Sequence, residues 1–165
     1  EAGAHIVNDV GGLRNDDMIS VVAEMNIPVI MMHMQGTPDN MQKNPQYGDV
    51  VEDIKNWLEG RIKAAEMAGI KRSDIIVDPG IGFGKNLKHN LEILGRLKEF
   101  KEMTGGVLLG ASRKSFIAMM TGNENSDRLT GSLSAAIMGV TSGADILRVH
   151  DVKETLSAVK AVNSL

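Results

Sequence analysis

Charged and polar side chains follow apolar runs at three places in this chain, as they would at the ends of buried strands. The three segments are Ile76–Lys85, Val107–Lys114 and Ile146–His150. A carboxylate such as Asp78 can accept two parallel hydrogen bonds from an amidine-like edge, for example that of an aminopyrimidinone. Lys114 can donate to a ring carbonyl and a ring nitrogen, and Arg148 with His150 can bind phosphate. One anion and several cations therefore indicate a site for a flat, nitrogen-rich ring that carries phosphate.

Each of these groups also has a purely structural interpretation. The carboxylate of Asp78 can cap a turn, the basic residues after the second run can form a solvated helix start, and Arg148 can pair with Asp145 or Asp151. We favour ligand binding for three reasons. Three glycines between Asp78 and Lys85 let a ligand approach the backbone closely. Cations are disfavoured at a helix N-terminus, and two cations at a final strand end fit the phosphate site of a barrel.

Other candidate residues flank these segments. Asn8 ends the first apolar run, and its amide can either bind a ligand or cap the next helix. Strand alternation places Met32 toward the site and His33 on the opposite face, so we expect His33 to be structural. Phe83 lies inside the glycine-rich turn and predicts a wall for a flat substrate. The polar loop Gln35–Pro45 can be a mobile lid or ordinary surface.

Alternating apolar runs and helical patterns predict five βα units. Strands are expected at Ile6–Val10, Pro28–Met34, Ile75–Asp78, Val107–Ala111 and Asp145–Val149, and helices at Asp16–Met25, Tyr47–Met67, Asn86–Met103, Leu129–Thr141 and Val152–Val162. An open doubly wound sheet competes with part of a TIM (β/α)8 barrel. Polar residues at every strand end favour the barrel, which typically needs ~250 residues when complete. We therefore predict one α/β domain over residues 1–165, a partial barrel truncated at its amino terminus.

The overall composition excludes several classes of protein and site. The net charge of −3 and the absence of a basic stripe argue against nucleic-acid binding. The chain has no cysteine, which excludes disulfides and thiolate metal sites and fits a reducing cytoplasm. We find no signal peptide and no apolar run long enough to span a bilayer. No His-x-His or Glu-x-x-His array occurs, so no metal site within this chain is expected.

Six segments of the chain resemble the dihydropteroate synthase family of the folate pathway. They are Ile6–Val10, Met32–Gly36, Asp78–Lys85, Gly110–Phe116, Gly131-Ser132 and Arg148–Val152, in that family's order and spacing. The resemblance covers the full length of the sequence. Pterin-dependent methyltransferases share the barrel and a pterin-binding Asp, but they lack the serine-arginine-lysine string in this form.

The resemblance implies a role for each matching residue. The residues implied to bind the pterin are Asn8, Met32, Asp78, Phe83, Gly110, Lys114 and Arg148. Those implied to bind p-aminobenzoate are Phe83, Ser112 and Lys114, and those implied to bind pyrophosphate are Arg148 and His150. The implied catalytic residues are Lys114, Arg148 and His150. The implied reaction joins 6-hydroxymethyl-7,8-dihydropterin pyrophosphate to p-aminobenzoate and releases pyrophosphate. It further implies a cytoplasmic homodimer that is a sulfonamide target, with Mg²⁺ held by a ligand in an amino-terminal part of the family.

The family's first strand, its two early mobile loops and its second pterin-binding Asp have no counterpart in this sequence. We therefore expect the isolated chain to be inactive, either as a fragment or as one polypeptide of a complemented enzyme. A non-catalytic pterin- or phosphate-binding module, a pterin-dependent methyltransferase and a purely structural half barrel are the alternatives. Five buried parallel strands would also leave two open edges.

Overall fold

The computed structural model describes residues 3–122 and 128–164 as alternating parallel strands and helices. Within this part of the chain the strands β1 to β5 comprise Val7–Asp9, Val29–Met32, Ile75–Asp78, Leu108–Leu109 and Ile146–Leu147. The helices α1 to α6 comprise Asp16–Met25, Val50–Met67, Leu87–Gly95, Ser115–Thr121, Arg128–Thr141 and Val152–Val162. Short 3₁₀ turns occupy Arg72–Asp74 and Leu97–Phe100. The predicted five βα units are therefore present, with two helices after β4.

The strands lie side by side in the order in which they occur in the chain. β1 pairs with β2 and β2 with β3, all parallel, and β4 pairs in parallel with β5. A parallel bridge between Val77 and Val107 joins the two groups, and the Val77 amide donates to the carbonyl of Gly106 at 3.0 Å. Such consecutive order is that of a barrel wall, since a doubly wound sheet reverses its order at a switch point. All five carboxyl ends consequently lie along one edge.

Alternate residues of the central strands face opposite sides of the sheet. The helix-covered side holds Val29, Met31, Ile75 and Val77, all fully buried in the main hydrophobic core. The apolar stripe of α2 packs on the same core. Its fully or nearly fully buried members are Val50, Val51, Ile54, Leu58, Ile62 and Ala65. The opposite side of the sheet is therefore left to the residues between these core positions, which is where the candidate site lies.

The helix predicted over Asn86–Met103 was wrong in its second half. α3 ends at Gly95, and the chain then forms the 3₁₀ turn that buries Leu97 and Phe100 completely. The leucine periodicity continues past the helix because the 3₁₀ turn keeps burying the same face. Gly95, a weak helix former, is the last residue of the helix.

Four of the predicted strands are shorter in the structure, and at the end of β1 a side chain takes over the hydrogen bonding of the backbone. β1 stops at Asp9, whose carboxylate accepts from the amides of Gly11 at 2.9 Å and Leu13 at 2.6 Å. β2 stops at Met32, although the next amide, that of His33, still donates to the carbonyl of Asp78 at 2.9 Å. Strand pairing thus gives way to loop structure at the polar edge. In the described part of the chain, no helix combines the length and apolar character needed to cross a membrane.

Candidate active site

Side chains from the ends of three strands meet at the polar edge of the sheet. Arg148, which directly follows β5, donates from Nη2 to Asp78 Oδ2 at 2.9 Å and from Nη1 to Asn8 Oδ1 at 2.8 Å. The Asp78 side chain is 1% exposed and that of Arg148 is 39% exposed. The guanidinium therefore links the ends of β1, β3 and β5 over the face of the sheet opposite the helices.

Met32 belongs to this face, as strand alternation predicted. It lies beside Asp78 in the parallel register of β2 and β3, and in-register neighbours point to the same side of a sheet. Its side chain is fully buried. His33 lies on the opposite side, where its ring meets that of Trp57 edge to face with centroids 5.1 Å apart. The structural interpretation of His33 is thereby confirmed.

The two proposed ion-pair partners of Arg148 are engaged elsewhere. Asp145 accepts from Lys101 at 2.7 Å at the other end of β5, and Asp151 accepts from Arg113 at 2.5 Å. The structural alternative for Arg148 was therefore wrong about the partner, because Arg148 bonds the carboxylate of Asp78.

Asp78 also caps the turn that follows it. The structural interpretation of this residue is therefore correct as well, because the same carboxylate both caps the turn and bonds Arg148. Its Oδ1 accepts from the amide of Gly80 at 2.8 Å. The φ angle of Gly80 is +72°, and a Cβ at this position would overlap the carbonyl oxygen of His33. Glycine is required here because the left-handed turn passes directly over the end of β2. The carboxylate is thus fixed in orientation before any ligand arrives.

Lys114 contacts the glycine-rich turn that follows Asp78. Its Nζ donates to the carbonyl of Ile81 and lies 4.4 Å from the ring centroid of the half-buried Phe83. Its stem packs on Gly82, where a Cβ would lie 3.1 Å from the lysine Cδ. Burial lowers the pKa of Lys114 to about 8, with Asp78 opposing that shift and Arg148 adding to it. Lys114 therefore stays close to the Asp78–Arg148 pair as a largely protonated donor at neutral pH.

Lys85 is a buried member of this cluster to which the sequence analysis assigned no role. It is 3% exposed, its Nζ lies 3.0 Å from His33 Nδ1, and it donates to the carbonyl of Phe83 at 2.9 Å. Burial lowers its pKa to about 7, with Asp78 opposing and Lys114 assisting that shift. Burial, followed by Lys85 and Arg14, lowers the pKa of His33 to about 2. The imidazole is therefore neutral, its Nδ1 forms a hydrogen bond with Lys85 Nζ, and the glycine-rich turn is held between two lysines.

Ser112 and His150 contact each other at the ends of β4 and β5. The amide of His150 donates to Ser112 Oγ at 3.2 Å, and its Nδ1 lies 3.1 Å from the same oxygen. Ser112 is buried, whereas His150 is exposed. Because β5 ends at Leu147, Arg148 and His150 both lie beyond the strand that was predicted to carry them. They lie at the same edge but have different contacts: Arg148 bonds Asn8 of β1 and Asp78 of β3, and His150 bonds Ser112 after β4.

Arg113 turns away from this cluster although it stands between Ser112 and Lys114. Its φ is +58°, its amide donates to Ser132 Oγ at 2.8 Å, and its carbonyl accepts from Arg128 Nη1 at 2.9 Å. The serine-arginine-lysine string is therefore divided. Its outer members face the candidate site, and its middle member fixes the string to α5.

Two cavities adjoin the glycine-rich turn and the loop after β2. One of about 390 Å³ is lined by Gln42, Pro45, Gly82, Lys85, Asn86, Leu87, Asn90, Ser115, Phe116 and Met119, and one of about 370 Å³ by Arg14, His33, Met34, Gln35, Gly36, Gln46, Tyr47, Asp53 and Trp57. Neither is lined by Asp78, Lys114 or Arg148, although Lys85 lines the first and its partner His33 lines the second. Gln42, in the loop after β2, donates to the carbonyl of Gly82 at 2.6 Å, and this hydrogen bond holds the loop against the glycine-rich turn.

The donor set of the cluster is basic and amide-rich. Among residues 3–122 and 128–164, no three His, Asp or Glu side chains are grouped so that they could hold a metal ion. The arrangement can instead bind a heterocycle with donors on one edge and acceptors on the other, beside an anionic substituent.

Comparisons with known proteins agree with this chemistry. A family model described as pterin binding enzyme matches residues 1–150. The dihydropteroate synthase of Escherichia coli K12 is 43% identical over 164 residues, covering 99% of this chain and 58% of that protein. The chain thus spans less than two thirds of this relative.

Two solved structures are similar to the chain in fold as well as in sequence. A Yersinia pestis dihydropteroate synthase with a sulfonamide drug has a TM-score of 0.94 and 40% identity, covering 99% of this chain and 60% of that one. A Thermus thermophilus dihydropteroate synthase in complex with 4-aminobenzoate has a TM-score of 0.93 and 39% identity, covering 99% and 63%. This likeness confirms the predicted partial (β/α)8 barrel.

Proposed function

Because this chain belongs to the pterin-binding enzyme family, we propose that it forms part of a dihydropteroate synthase. The observation that carries the proposal is the meeting of Asp78, Asn8 and Arg148 at the strand ends, with Lys114 beside them. The reaction is the condensation of 6-hydroxymethyl-7,8-dihydropterin pyrophosphate with p-aminobenzoate. The aromatic amine attacks the pterin methylene carbon and loses one proton. The carbon–oxygen bond breaks, and its electron pair leaves with the pyrophosphate.

The pterin ring would be recognised by its hydrogen-bonding edges. The Asp78 carboxylate accepts from the amino group and the adjacent ring N–H, and Asn8 pairs with a neighbouring ring atom. Lys114 donates to the ring carbonyl and a ring nitrogen. Met32 supplies an apolar floor, and the missing side chain of Gly110 leaves room for close approach. A ring that lacks the donor edge would leave the buried Asp78 carboxylate unpaired, and a ring that lacks the acceptor edge would leave Lys114 without its two acceptors. The site therefore favours a ring that has both edges.

The leaving group and the amine would be handled by the ends of β4 and β5. Arg148 and His150 stabilise the pyrophosphate most as its charge develops in the transition state, where preorganised cations lower a barrier. Phe83, Ser112 and Lys114 line the position of p-aminobenzoate, with Ser112 toward its carboxylate. No strong general base is required, since the amine attacks a carbon that already carries cationic character.

Magnesium is proposed only as a companion of the pyrophosphate. The described part of the chain contains no group of three His, Asp or Glu side chains that could hold the ion. We propose that the protein ligand of the ion belongs to an amino-terminal part of the family, so no step above is assigned to magnesium.

A homodimer and a cytoplasmic location complete the proposal. Apolar side chains are exposed on three consecutive helices. They are Met119 (56% exposed) of α4, Met138 (41%) of α5, and Val152 (65%) and Leu156 (51%) of α6. Burial of such a set against a second copy would remove this apolar area from water. Sedimentation equilibrium tests it, because Leu156→Glu should shift a dimer to monomer, whereas an unchanged mass would exclude this surface.

Calorimetric titration with 6-hydroxymethyl-7,8-dihydropterin pyrophosphate tests the recognition step. The unmodified chain should bind, and Asp78→Asn should weaken binding by at least about tenfold. Asp74→Asn, at the other end of β3, is the matched control and should bind as the unmodified chain does. Absence of pterin binding by the unmodified chain would refute the proposed function.

Product formation separates the enzyme from a non-catalytic module. Dihydropteroate synthesis should be assayed with the chain alone and after addition of the amino-terminal part of the Escherichia coli relative. Product in either assay supports the enzyme. Pterin binding without product in either assay would favour the pterin-binding module. The observation that supports this alternative is that the strand-end cluster contains one buried carboxylate for the ring and cations for a phosphate.

A further inference from the structure

Arg148 occupies the hydrogen-bond acceptors that the proposed function gives to the pterin. Its two terminal nitrogens bond Asp78 Oδ2 at 2.9 Å and Asn8 Oδ1 at 2.8 Å. A guanidinium and the edge of an aminopyrimidinone both present N–H donors side by side. The arginine therefore competes with the ring for the same carboxylate oxygen.

The paired carboxylate has almost no open surface for a second ligand. Asp78 is 1% exposed, with the guanidinium on Oδ2 and the amide of Gly80 on Oδ1 at 2.8 Å. Each carboxylate oxygen can accept a second hydrogen bond, so the obstacle is burial, and a ring edge reaches the carboxylate only when the guanidinium moves away from it. The pterin and the paired arginine consequently exclude each other at this carboxylate.

The sheet also makes room for the guanidinium at this position. A Cβ on Gly110 would lie 2.5 Å from Arg148 Nη2 and 3.1 Å from its Cζ. The φ angle of Gly110 lies outside the left-handed range, so its backbone does not itself require glycine. What requires glycine here is the side chain that rests against it. The paired guanidinium thus fills the space beside Gly110, next to the carboxylate that the ring is proposed to use.

We propose, on the basis of the function proposed above, that Arg148 is a specificity-determining gate that admits phosphorylated pterins and disfavours pterins without phosphate. In the free chain Arg148 holds the pterin-recognition groups. When a pterin with a diphosphate binds, the displaced guanidinium pairs with the diphosphate, which replaces the lost Arg148–Asp78 ion pair. When a pterin without phosphate binds, the same ion pair is broken and no new ion pair forms.

The gate also accounts for release of the product. Dihydropteroate carries no diphosphate, and once pyrophosphate has left, Arg148 loses its alternative anion. The guanidinium then returns to the buried carboxylate of Asp78 and competes with the product ring. A single side chain would thereby favour the substrate at entry and oppose the product at the end.

The test is the affinity of two probes for Arg148→Gln and for the unmodified chain, measured by calorimetry. The probes are 6-hydroxymethylpterin and 6-hydroxymethyl-7,8-dihydropterin pyrophosphate. Removing one charge-assisted pair should tighten binding of the unphosphorylated probe by about tenfold, because that probe no longer has to displace a cation. The same change should weaken binding of the pyrophosphate by at least about tenfold. The two effects have opposite signs.

Lys101→Gln is the control for the loss of one positive charge and one ion pair. Lys101 pairs with Asp145 at the other end of β5, so this variant should bind both probes as the unmodified chain does. If Arg148→Gln weakens both probes, or leaves the unphosphorylated one unchanged, the gate is overturned while the proposed function stands. If the unmodified chain binds neither probe, both fail.

An NMR measurement on the unmodified chain keeps the gate testable should Arg148→Gln fail to fold. Rotation of a guanidinium is slowed while its nitrogens are paired, and the side-chain N–H signals of Arg148 report this directly. Saturation with 6-hydroxymethylpterin should release those signals to fast rotation. Signals that keep their paired character with the probe bound would overturn the gate.

Discussion

Replacing Lys85 with methionine removes a buried amine while keeping most of its apolar stem. Lys85 is 3% exposed and bonds only neutral groups in the described contacts, His33 Nδ1 and the carbonyl of Phe83. Burial lowers its pKa from 10.5 to about 7. We expect Lys85→Met to raise the free energy of unfolding at neutral pH, because folding no longer has to remove a proton or bury a charge.

The magnitude follows from the pKa shift. Each unit of pKa difference between the folded and unfolded states is worth about 1.4 kcal/mol, so the shift costs about 4 kcal/mol of stability at pH 7. The variant also loses two hydrogen bonds, together worth about 2 kcal/mol. The expected net gain for Lys85→Met is therefore about 2 kcal/mol at pH 7.

The direction in which the unfolding free energy changes with pH also follows from the pKa shift of Lys85. Between about pH 7 and pH 10.5 the unfolded chain binds the Lys85 proton and the folded chain does not. The unfolding free energy of the unmodified chain should therefore rise with pH across this window relative to Lys85→Met. By pH 9 the advantage of the variant should have shrunk by about 2 kcal/mol.

Guanidinium chloride unfolding at several pH values between about 7 and 9, the lower part of this window, measures this difference. Trp57, the single tryptophan, is a suitable fluorescence probe because it packs on His33, the partner of Lys85. Lys63→Met on α2, where the side chain is 68% exposed, shows what the same substitution does at the surface. A difference between Lys85→Met and the unmodified chain that stays constant with pH would refute the reasoning.

Three further substitutions test the structural parts of the site by chemical unfolding. Gly80→Ala should lower the unfolding free energy by more than about 3 kcal/mol, because its φ is +72° and the new Cβ overlaps the His33 carbonyl; a near-neutral result would mean that the turn relaxes. Asn86→Ala should cost about 1 kcal/mol by removing the N-cap of α3, and Asn86→Asp should restore most of it. Ser132→Ala should cost about 1–2 kcal/mol by removing the hydroxyl that accepts from the Arg113 amide, and a loss equal to that of the exposed Ser134→Ala would count against this role.

Local patterns predicted the secondary structure where local forces decide it. The helices over Asp16–Met25 and Val152–Val162 begin and end as their apolar spacing indicated. A capping side chain supports the first, since Asn15 accepts from the amide of Asp17 at 2.8 Å. The break after Gly95 was missed because the 3₁₀ turn preserves the burial of Leu97, and the apolar spacing therefore looks continuous.

The role of Lys85 could not be predicted from its place in the chain. A lysine that ends a glycine-rich turn is ordinarily exposed, and the groups that accept from it depend on where the end of β2 lies. His33 is 52 residues away in sequence, and only the parallel register of β2 and β3 brings it to the turn. The available signal was that His33 was expected on the helix side of β2, where a buried imidazole needs a hydrogen-bond partner.

The sequence by itself determined that five strands alternate with helices and that polar side chains lie at or just beyond the end of each strand, because periodicity and turn chemistry are written in adjacent residues. It also identified Asp78, Lys114 and Arg148 as the groups of interest. Only the tertiary structure decided which of them touch. Arg148 bonds Asp78, 70 residues away, although Asp151 is three residues away. The reason is physical: the order and register of parallel strands fix which ends meet, and that order is a property of the whole packed sheet.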